Sequence, residues 1–113
     1  MSGITDNMVQ RAMQRAQKNN LPRDLFAKAV VFDHEDELMT VKLMNGKCLI
    51  FSLNEFPSLR KATPKQRDNW EFIGSGIGVH WEDIDEDLSV KGFIQDYIIK
   101  TKKFIKENES LVA

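Results

Sequence analysis

The chain has 113 residues, a length that favours one domain able to bury its own core. Its 42% hydrophobic and 29% charged residues exclude a disordered or fibrous protein, and its longest apolar runs fall far short of the roughly 20 residues that span a bilayer. A net charge of -1 excludes a domain-wide basic footprint for nucleic acid, and the single cysteine, Cys48, excludes an internal disulfide. We therefore expect one cytoplasmic domain, residues 1–113, without membrane contact and with Cys48 buried in a strand.

Residues 1–22 are predicted to form an N-terminal helical extension, because apolar side chains recur there at helical spacing. The weak stripe of Met and Ala fits a helix packed along the outside of the domain, and it also fits a contact surface for a partner or a second copy. The apolar positions are Ile4, Met8, Val9, Ala12, Met13 and Ala16. Basic residues opposite them are Arg11, Arg15 and Lys18.

From Phe26 onwards the apolar residues no longer follow the helical spacing and have the pattern of β-strands. "FAKAVVF", "LMTVKLM" and "KCLIFSL" predict three strands of an antiparallel meander, and the acidic "DHEDE" predicts the turn between the first two. Asn45-Gly46 is a strong signal for a two-residue hairpin loop, since both residues accept the positive φ that such a turn needs. That loop would place Leu43 opposite Cys48 on the apolar core face. We expect the other face to be half covered by a terminal helix.

Two short helical turns are predicted next. Asn54 is the predicted cap of the first, with Pro57 in its opening turn. Thr63 and Gln66 have the spacing of a reciprocal capping box, which predicts the second. "WEFIG" and "GVHW", near residues 70–81, then predict two short strands joined through glycines.

A long amphipathic helix is predicted at the C-terminus, with residues 96–113 as its extension and tail. Its apolar stripe runs from Phe93 to Ile105, and lysines such as Lys100 and Lys103 lie outside it. The predicted fold class is therefore α+β: a small antiparallel sheet packed against an N-terminal helix and a longer C-terminal helix.

The acidic run "EDIDED", residues 82–87, is the main candidate for chemistry. Asp83, Asp85 and Asp87 have the spacing of the first three ligands in a calcium loop. However, Leu88 replaces the glycine that such a loop needs and Ile94 replaces its closing glutamate, so we expect no metal and no cofactor. The simpler interpretation is that Asp87 or Ser89 caps the last helix while the other acids favour its positive end.

Residues 56–94, "FPSLRKATPKQRDNWEFIGSGIGVHWEDIDEDLSVKGFI", carry many positions of a known pattern at fixed spacing. With the upstream hairpin, residues 26–95 closely resemble the bacterial family called domain of unknown function 2442. The resemblance implies a small α+β domain without established catalytic machinery. It also implies a gene context of small gene pairs that look like toxin–antitoxin modules, in which such domains act as the antitoxin.

These observations favour a non-enzymatic protein-binding or regulatory module, similar to an antitoxin, over two alternatives. Its partner would be another small protein, such as a toxin encoded nearby, and the acidic run would steer a basic partner. The candidate partner-binding residues are His80, Trp81, Glu82, Asp83, Asp85 and Glu86.

The first alternative is a nucleic-acid-binding regulator, and the second is a metal-dependent enzyme around His80 and the acidic run. A homodimer is also predicted, because two amphipathic terminal helices exceed what one small domain covers. The candidate nucleic-acid contacts are Arg11, Arg15, Lys18, Lys100 and Lys103.

Overall fold

A computed structural model of the chain describes residues 21–109, so the predicted N-terminal helix lies outside the described residues. Within this range the chain forms two three-stranded antiparallel sheets and a long final helix, which confirms the α+β class. The strands are β1 Ala27–Asp33, β2 Leu38–Leu43, β3 Cys48–Ser52, β4 Trp70–Ile73, β5 Gly78–Trp81 and β6 Glu86–Ser89. The helices are α1 Pro57–Lys61, α2 Pro64–Asp68 and α3 Val90–Glu107. Short 3₁₀ turns lie at Arg23–Leu25, Leu53–Glu55 and Glu82–Ile84.

The first sheet is the predicted meander, in the order β1-β2-β3. Inward-facing and exposed residues alternate along its strands, because successive side chains of a strand point to opposite faces. The inward face carries three rows of side chains across the strands. A β-bulge between Ala27 and Ala29 adds one residue to β1, so that residues on both sides of the bulge point inward. The inward residues are Ala27, Val30, Phe32, Met39, Val41, Leu43, Leu49 and Phe51.

The hairpin between β2 and β3 corrects the predicted register by one residue. The Leu43 N–H donates to the Lys47 carbonyl at 2.8 Å, and Lys42 lies opposite Cys48. The loop therefore has three residues, and only Gly46 among them has a positive φ, at 89°. This arrangement fits a type I turn followed by a left-handed residue, which Gly accepts without strain.

A one-residue shift moves every side chain of β3 to the other face. Leu49 and Phe51 are therefore buried, whereas Cys48 and Ile50 are exposed. The prediction that Cys48 is a buried strand residue is wrong for this reason.

Two short helices follow the meander. Asn54 does not cap α1; its N–H instead donates to the Ser52 hydroxyl at 3.2 Å, and Pro57 opens the helix where a missing N–H does no harm. The capping box of α2 is confirmed, since Thr63 and Gln66 exchange both hydrogen bonds, at 3.2 and 3.0 Å.

The second sheet has the order β4-β5-β6, and β6 was not predicted. Residues 86–89 form this strand instead of a charged entrance to the last helix. Acids are depleted in strands, which explains why the sequence did not indicate β6. Ser89 does cap α3 as one of the two predicted candidates, accepting a hydrogen bond from the Gly92 N–H at 3.0 Å.

Gly76 joins the two sheets. It lies in the turn between β4 and β5 with φ 112°, and its carbonyl accepts a hydrogen bond from the Ala27 N–H at 2.8 Å. A Cβ at this position would clash with the Ala27 backbone. Glycine is therefore required both for the backbone conformation and for the close approach to β1.

The core lies between the inward face of the first sheet and a covering layer made of the second sheet and α3. The Phe93 ring packs on Phe51 and Phe56, with ring centroids 5.5 and 5.9 Å apart. Phe32 meets Trp81 edge-on at 6.4 Å. Aromatic pairs in this range stabilise a core beyond the area that they bury.

Candidate functional site

His80 and Trp81, predicted as partner contacts, are both fully buried on β5. They point to opposite faces of the strand, as neighbours in a strand must. The Trp81 indole N–H donates to the Arg67 carbonyl at 2.9 Å. Neither side chain therefore contributes to the accessible surface of the described residues.

Arg67 is a buried joint that was not predicted as a site residue. Its guanidinium donates to the Leu59 and Arg60 carbonyls, each at 2.7 Å. These carbonyls belong to the last turn of α1, where the Leu59 carbonyl also accepts a hydrogen bond from the Ala62 N–H at 3.2 Å. Arg67 thus fixes α1 against α2, and its own carbonyl fixes Trp81. Only its place in the "QRDNW" motif marks it in the sequence.

His80 pairs with Asp87 across strands β5 and β6. The imidazole Nδ1 contacts the Asp87 carboxylate, and Nε2 is buried with no hydrogen-bond partner among residues 21–109. The two residues are partners in the strand pairing, so their side-chain contact joins β6 to β5.

The acidic run is divided between a turn and a strand. Glu82–Ile84 form a 3₁₀ turn that ends at Asp85, whose φ of 50° is left-handed. Glu82, Asp83 and Asp85 are exposed, whereas Glu86 is half-buried in β6. Across residues 21–109 no three His, Cys, Asp or Glu side chains come together in a way that could hold a metal ion.

A second acidic segment, the turn of residues 33–37, lies at the same end of the domain as the 3₁₀ turn. The His34 Nε2 lies 3.0 Å from both carboxylate oxygens of Asp68. The adjacent Asn69 amide donates to the Asp83 carboxylate, also at 3.0 Å. The end of α2 thus connects two acidic segments that are far apart in sequence. We call this surface the acidic end; it comprises Asp33, Glu35, Asp36, Glu37, Asp68, Glu82, Asp83 and Asp85.

The candidate nucleic-acid contacts fall into two groups. Arg11, Arg15 and Lys18 lie outside the described residues. Lys100 and Lys103 are exposed on α3, where the Lys100 ammonium pairs with Glu55 at 2.6 Å and that of Lys103 approaches Glu107 at 4.0 Å. The Leu53 N–H donates to the Glu37 carbonyl at 2.9 Å, so Glu55 and the acidic end are neighbours.

The distal half of α3 extends away from the packed part of the domain. Val90 and Phe93 are buried, and Tyr97 still packs edge-on against Phe51 at 6.1 Å. Beyond Lys100 every residue of the helix is exposed. No helix within residues 21–109 is long and apolar enough to cross a bilayer.

In a comparison with known families, residues 27–97 match the family described as "Protein of unknown function (DUF2442)". The predicted resemblance is thereby confirmed. Among curated proteins no match was found.

Two solved structures are similar to this chain. A protein of unknown function from Rhodospirillum rubrum is 31% identical, with a TM-score of 0.56, over 63% of this chain and 86% of that one. An uncharacterized protein from Chromobacterium violaceum, solved by NMR, is 24% identical with a TM-score of 0.58, over 84% of this chain and 85% of that one. The second likeness concerns the fold alone.

Proposed function

The chain belongs to the DUF2442 family of proteins of unknown function, and from that premise we propose that it is a non-enzymatic, regulatory protein-binding module that receives a basic partner protein at its acidic end. One observation carries the proposal: two acidic segments, predicted separately, meet at one end of the fold through the bonds of Asp68 and Asn69. Acids clustered on one surface raise the association rate of a basic partner and disfavour acidic ones.

The hydrogen bonds made by two carboxylates of the acidic end support this role. Asp83 and Asp68 each accept a hydrogen bond from a side chain of another element, so their carboxylates are held in place. Ordered charges lose less conformational freedom on binding than free ones do. The antitoxin-like role is the form of this proposal in which the partner is a small basic toxin encoded nearby.

Nucleic acid is the less favoured partner. The exposed lysines of α3 could contact phosphates, but the first of them is paired with Glu55 beside the acidic end. Phosphates that approach α3 would come close to the negative charges of Glu55 and the acidic end, and like charges repel at short range. DNA binding at low salt that vanishes steeply with added salt would favour nucleic acid over a protein partner.

The test is co-expression of the tagged chain with the product of the gene adjacent to its own. We expect co-elution of the two proteins and relief of any growth defect that the second one causes. If the native chain neither co-elutes nor restores growth, the proposal fails.

The surface is tested with a double variant, Glu82→Lys with Asp83→Asn, in which the asparagine keeps an acceptor for Asn69. We expect its affinity for that gene product to fall about tenfold or more, mainly through slower association. Asp24→Lys is the control, because it reverses the charge of an exposed acid beside the β2–β3 hairpin at the opposite end, although it changes the net charge by two units and the double variant by three. Equal losses in the two variants would show that net charge, not the acidic end, governs binding.

A further inference from the structure

The tip of the β2–β3 hairpin carries Asn45-Gly46, and Asn45 is the one asparagine of the chain that a glycine follows. Both residues are exposed. Asparagine is a chemically labile residue, because the next peptide nitrogen can attack the carbon of its carboxamide. Glycine has no Cβ that would obstruct this attack, so the tip has the composition of a spontaneous deamidation site.

The reaction consumes only water. The Gly46 nitrogen loses its proton to solvent base and bonds to Cγ of Asn45, the Cγ–Nδ2 bond breaks, and Nδ2 takes up a proton and leaves as ammonia. The product is a cyclic imide that joins residues 45 and 46. Water then opens the imide at one of its two carbonyls, which leaves either aspartate or isoaspartate at position 45.

In the folded hairpin, hydrogen bonds hold both reacting groups. The Gly46 N–H donates to the Leu43 carbonyl at 2.9 Å, so solvent base does not reach its proton while this bond is closed. The Asn45 Oδ1 accepts from the Lys47 N–H, also at 2.9 Å, which fixes the carboxamide. The nitrogen can therefore attack only after its bond to Leu43 has opened.

A second segment of the chain is bonded to the tip. We call this segment, residues 23–26, the strap; it contains the first 3₁₀ turn of the fold. Its carbonyls accept two hydrogen bonds from the tip, at Asp24 from the Asn45 N–H at 2.8 Å and at Phe26 from the Met44 N–H at 2.9 Å. Each N–H group of residues 44–47 thus has an acceptor. A change of backbone angles at the tip strains these bonds, so the strap opposes the opening that the reaction needs.

We propose that Asn45 is a deamidation site gated by the strap: the closed tip protects it, and opening of strap and tip exposes it to reaction. Opening is reversible, whereas the covalent change is permanent. Isoaspartate adds one carbon atom to the main chain, so it disturbs the register that the turn sets between β2 and β3. The modified fraction therefore records how long the hairpin has been open. This inference stands whether or not a basic partner protein exists.

The first experiment compares the folded and the unfolded chain. Both are kept at mildly alkaline pH, one in buffer and one in guanidinium chloride, and the modified fraction at each asparagine is read from peptide masses after digestion. We expect Asn45 to convert at least about tenfold faster in the unfolded chain, a ratio that corresponds to about 1.4 kcal/mol of protection. Asn54, which precedes Glu55, is the internal control and should change little in either sample.

Two outcomes overturn the proposal at this stage. If Asn45 converts at the same rate in both samples, the folded tip gives no protection. If Asn45 converts no faster than Asn54 in the unfolded chain, the tip is not a deamidation site.

A pair of leucine variants tests the role of the strap. Leu25 belongs to the strap and Leu88 to β6, and both are half-buried against the core. Leu25→Ala loosens the strap, so it should raise the conversion rate of Asn45 in the folded chain about fivefold or more, as for a local loss of about 1 kcal/mol. Leu88→Ala is the matched control and should leave that rate near the native one. Equal rates in the two variants would mean that the strap does not gate the reaction.

Hydrogen exchange supplies an independent readout. The Gly46 N–H has to open before it exchanges with deuterium or is lost in the reaction, so Leu25→Ala should accelerate exchange and conversion by the same factor. Circular dichroism checks that both leucine variants are folded. Fast exchange at Gly46 together with slow conversion of Asn45 in the native chain would contradict gating by opening.

Discussion

Whereas the first sheet turns one apolar face to the core and leaves the other open, the second sheet buries both sides of β5. Every residue of β5 is buried, and one of them is the imidazole of His80. A strand buried on both sides brings polar groups inside, and each of these needs a partner. The second sheet therefore depends on specific hydrogen bonds, and the first depends on hydrophobic alternation.

The largest effect is expected where the second sheet meets the core. Trp81→Ala should lower the free energy of unfolding by about 3–5 kcal/mol, because it empties a fully buried site and leaves the Arg67 carbonyl without its donor. Urea denaturation followed by circular dichroism measures this. A loss below that of an ordinary core leucine would mean that the two sheets are not tightly coupled through Trp81.

The next effect concerns Arg67. Arg67→Met keeps much of the side-chain volume but removes the donors to Leu59 and Arg60, and it should cost about 2–3 kcal/mol. Arg67→Lys should recover little, since one ammonium cannot reproduce the two directed bonds of the guanidinium. Full recovery in the lysine variant, measured by the same urea titration, would argue that charge alone matters there.

A smaller effect is expected at the link between β5 and β6. Asp87→Asn keeps an acceptor for His80 but removes the charge, so the free energy of unfolding should fall by about 1 kcal/mol. Asp85→Asn is the control, because Asp85 is exposed and asparagine accepts the left-handed backbone. Thermal unfolding of the two variants should differ by several degrees, and identical curves would exclude a stabilising His80–Asp87 pair.

The smallest effect is expected on the open face of the first sheet. Ile50→Thr keeps a β-branched side chain on an exposed position, so it should change the free energy of unfolding by less than about 0.5 kcal/mol at low protein concentration. Val41→Thr, on the fully buried side of the neighbouring strand, should cost several times more. Comparable losses in the two variants would mean that the outer face is covered within a single chain.

Much of the first sheet could be predicted from the sequence, because alternation and turn residues act locally. The three strands, the acidic turn and the reciprocal Thr63–Gln66 cap are all present. The hairpin register was missed by one residue, since Asn45-Gly46 is compatible with a two-residue and a three-residue loop. The length of the loop is decided by which side chains of β3 are buried in the core, and this is not a local property of the turn.

The second sheet could be predicted only in part. Its first two strands were recognised from aromatic residues between glycines, but β6 is acidic and is held by pairing with β5. His80 and Trp81, which were candidates for partner contacts, lie inside for the same reason, since a strand covered on both faces has no alternation to read. In the sequence the acidic end consists of two separate acidic runs, and only the structure shows that the end of α2 connects them.

The hydrogen bond between Ala27 and Gly76 has a consequence for how the protein opens. The Ala27 amide is the first of β1, yet its acceptor belongs to a turn 49 residues later, inside the second sheet. Its exchange with solvent deuterium therefore requires one sheet to separate from the other and cannot occur by fraying of a strand end alone. An amide of this kind exchanges with the slow rate of the whole cooperative unit. The start of the first strand thus reports on the integrity of the entire domain.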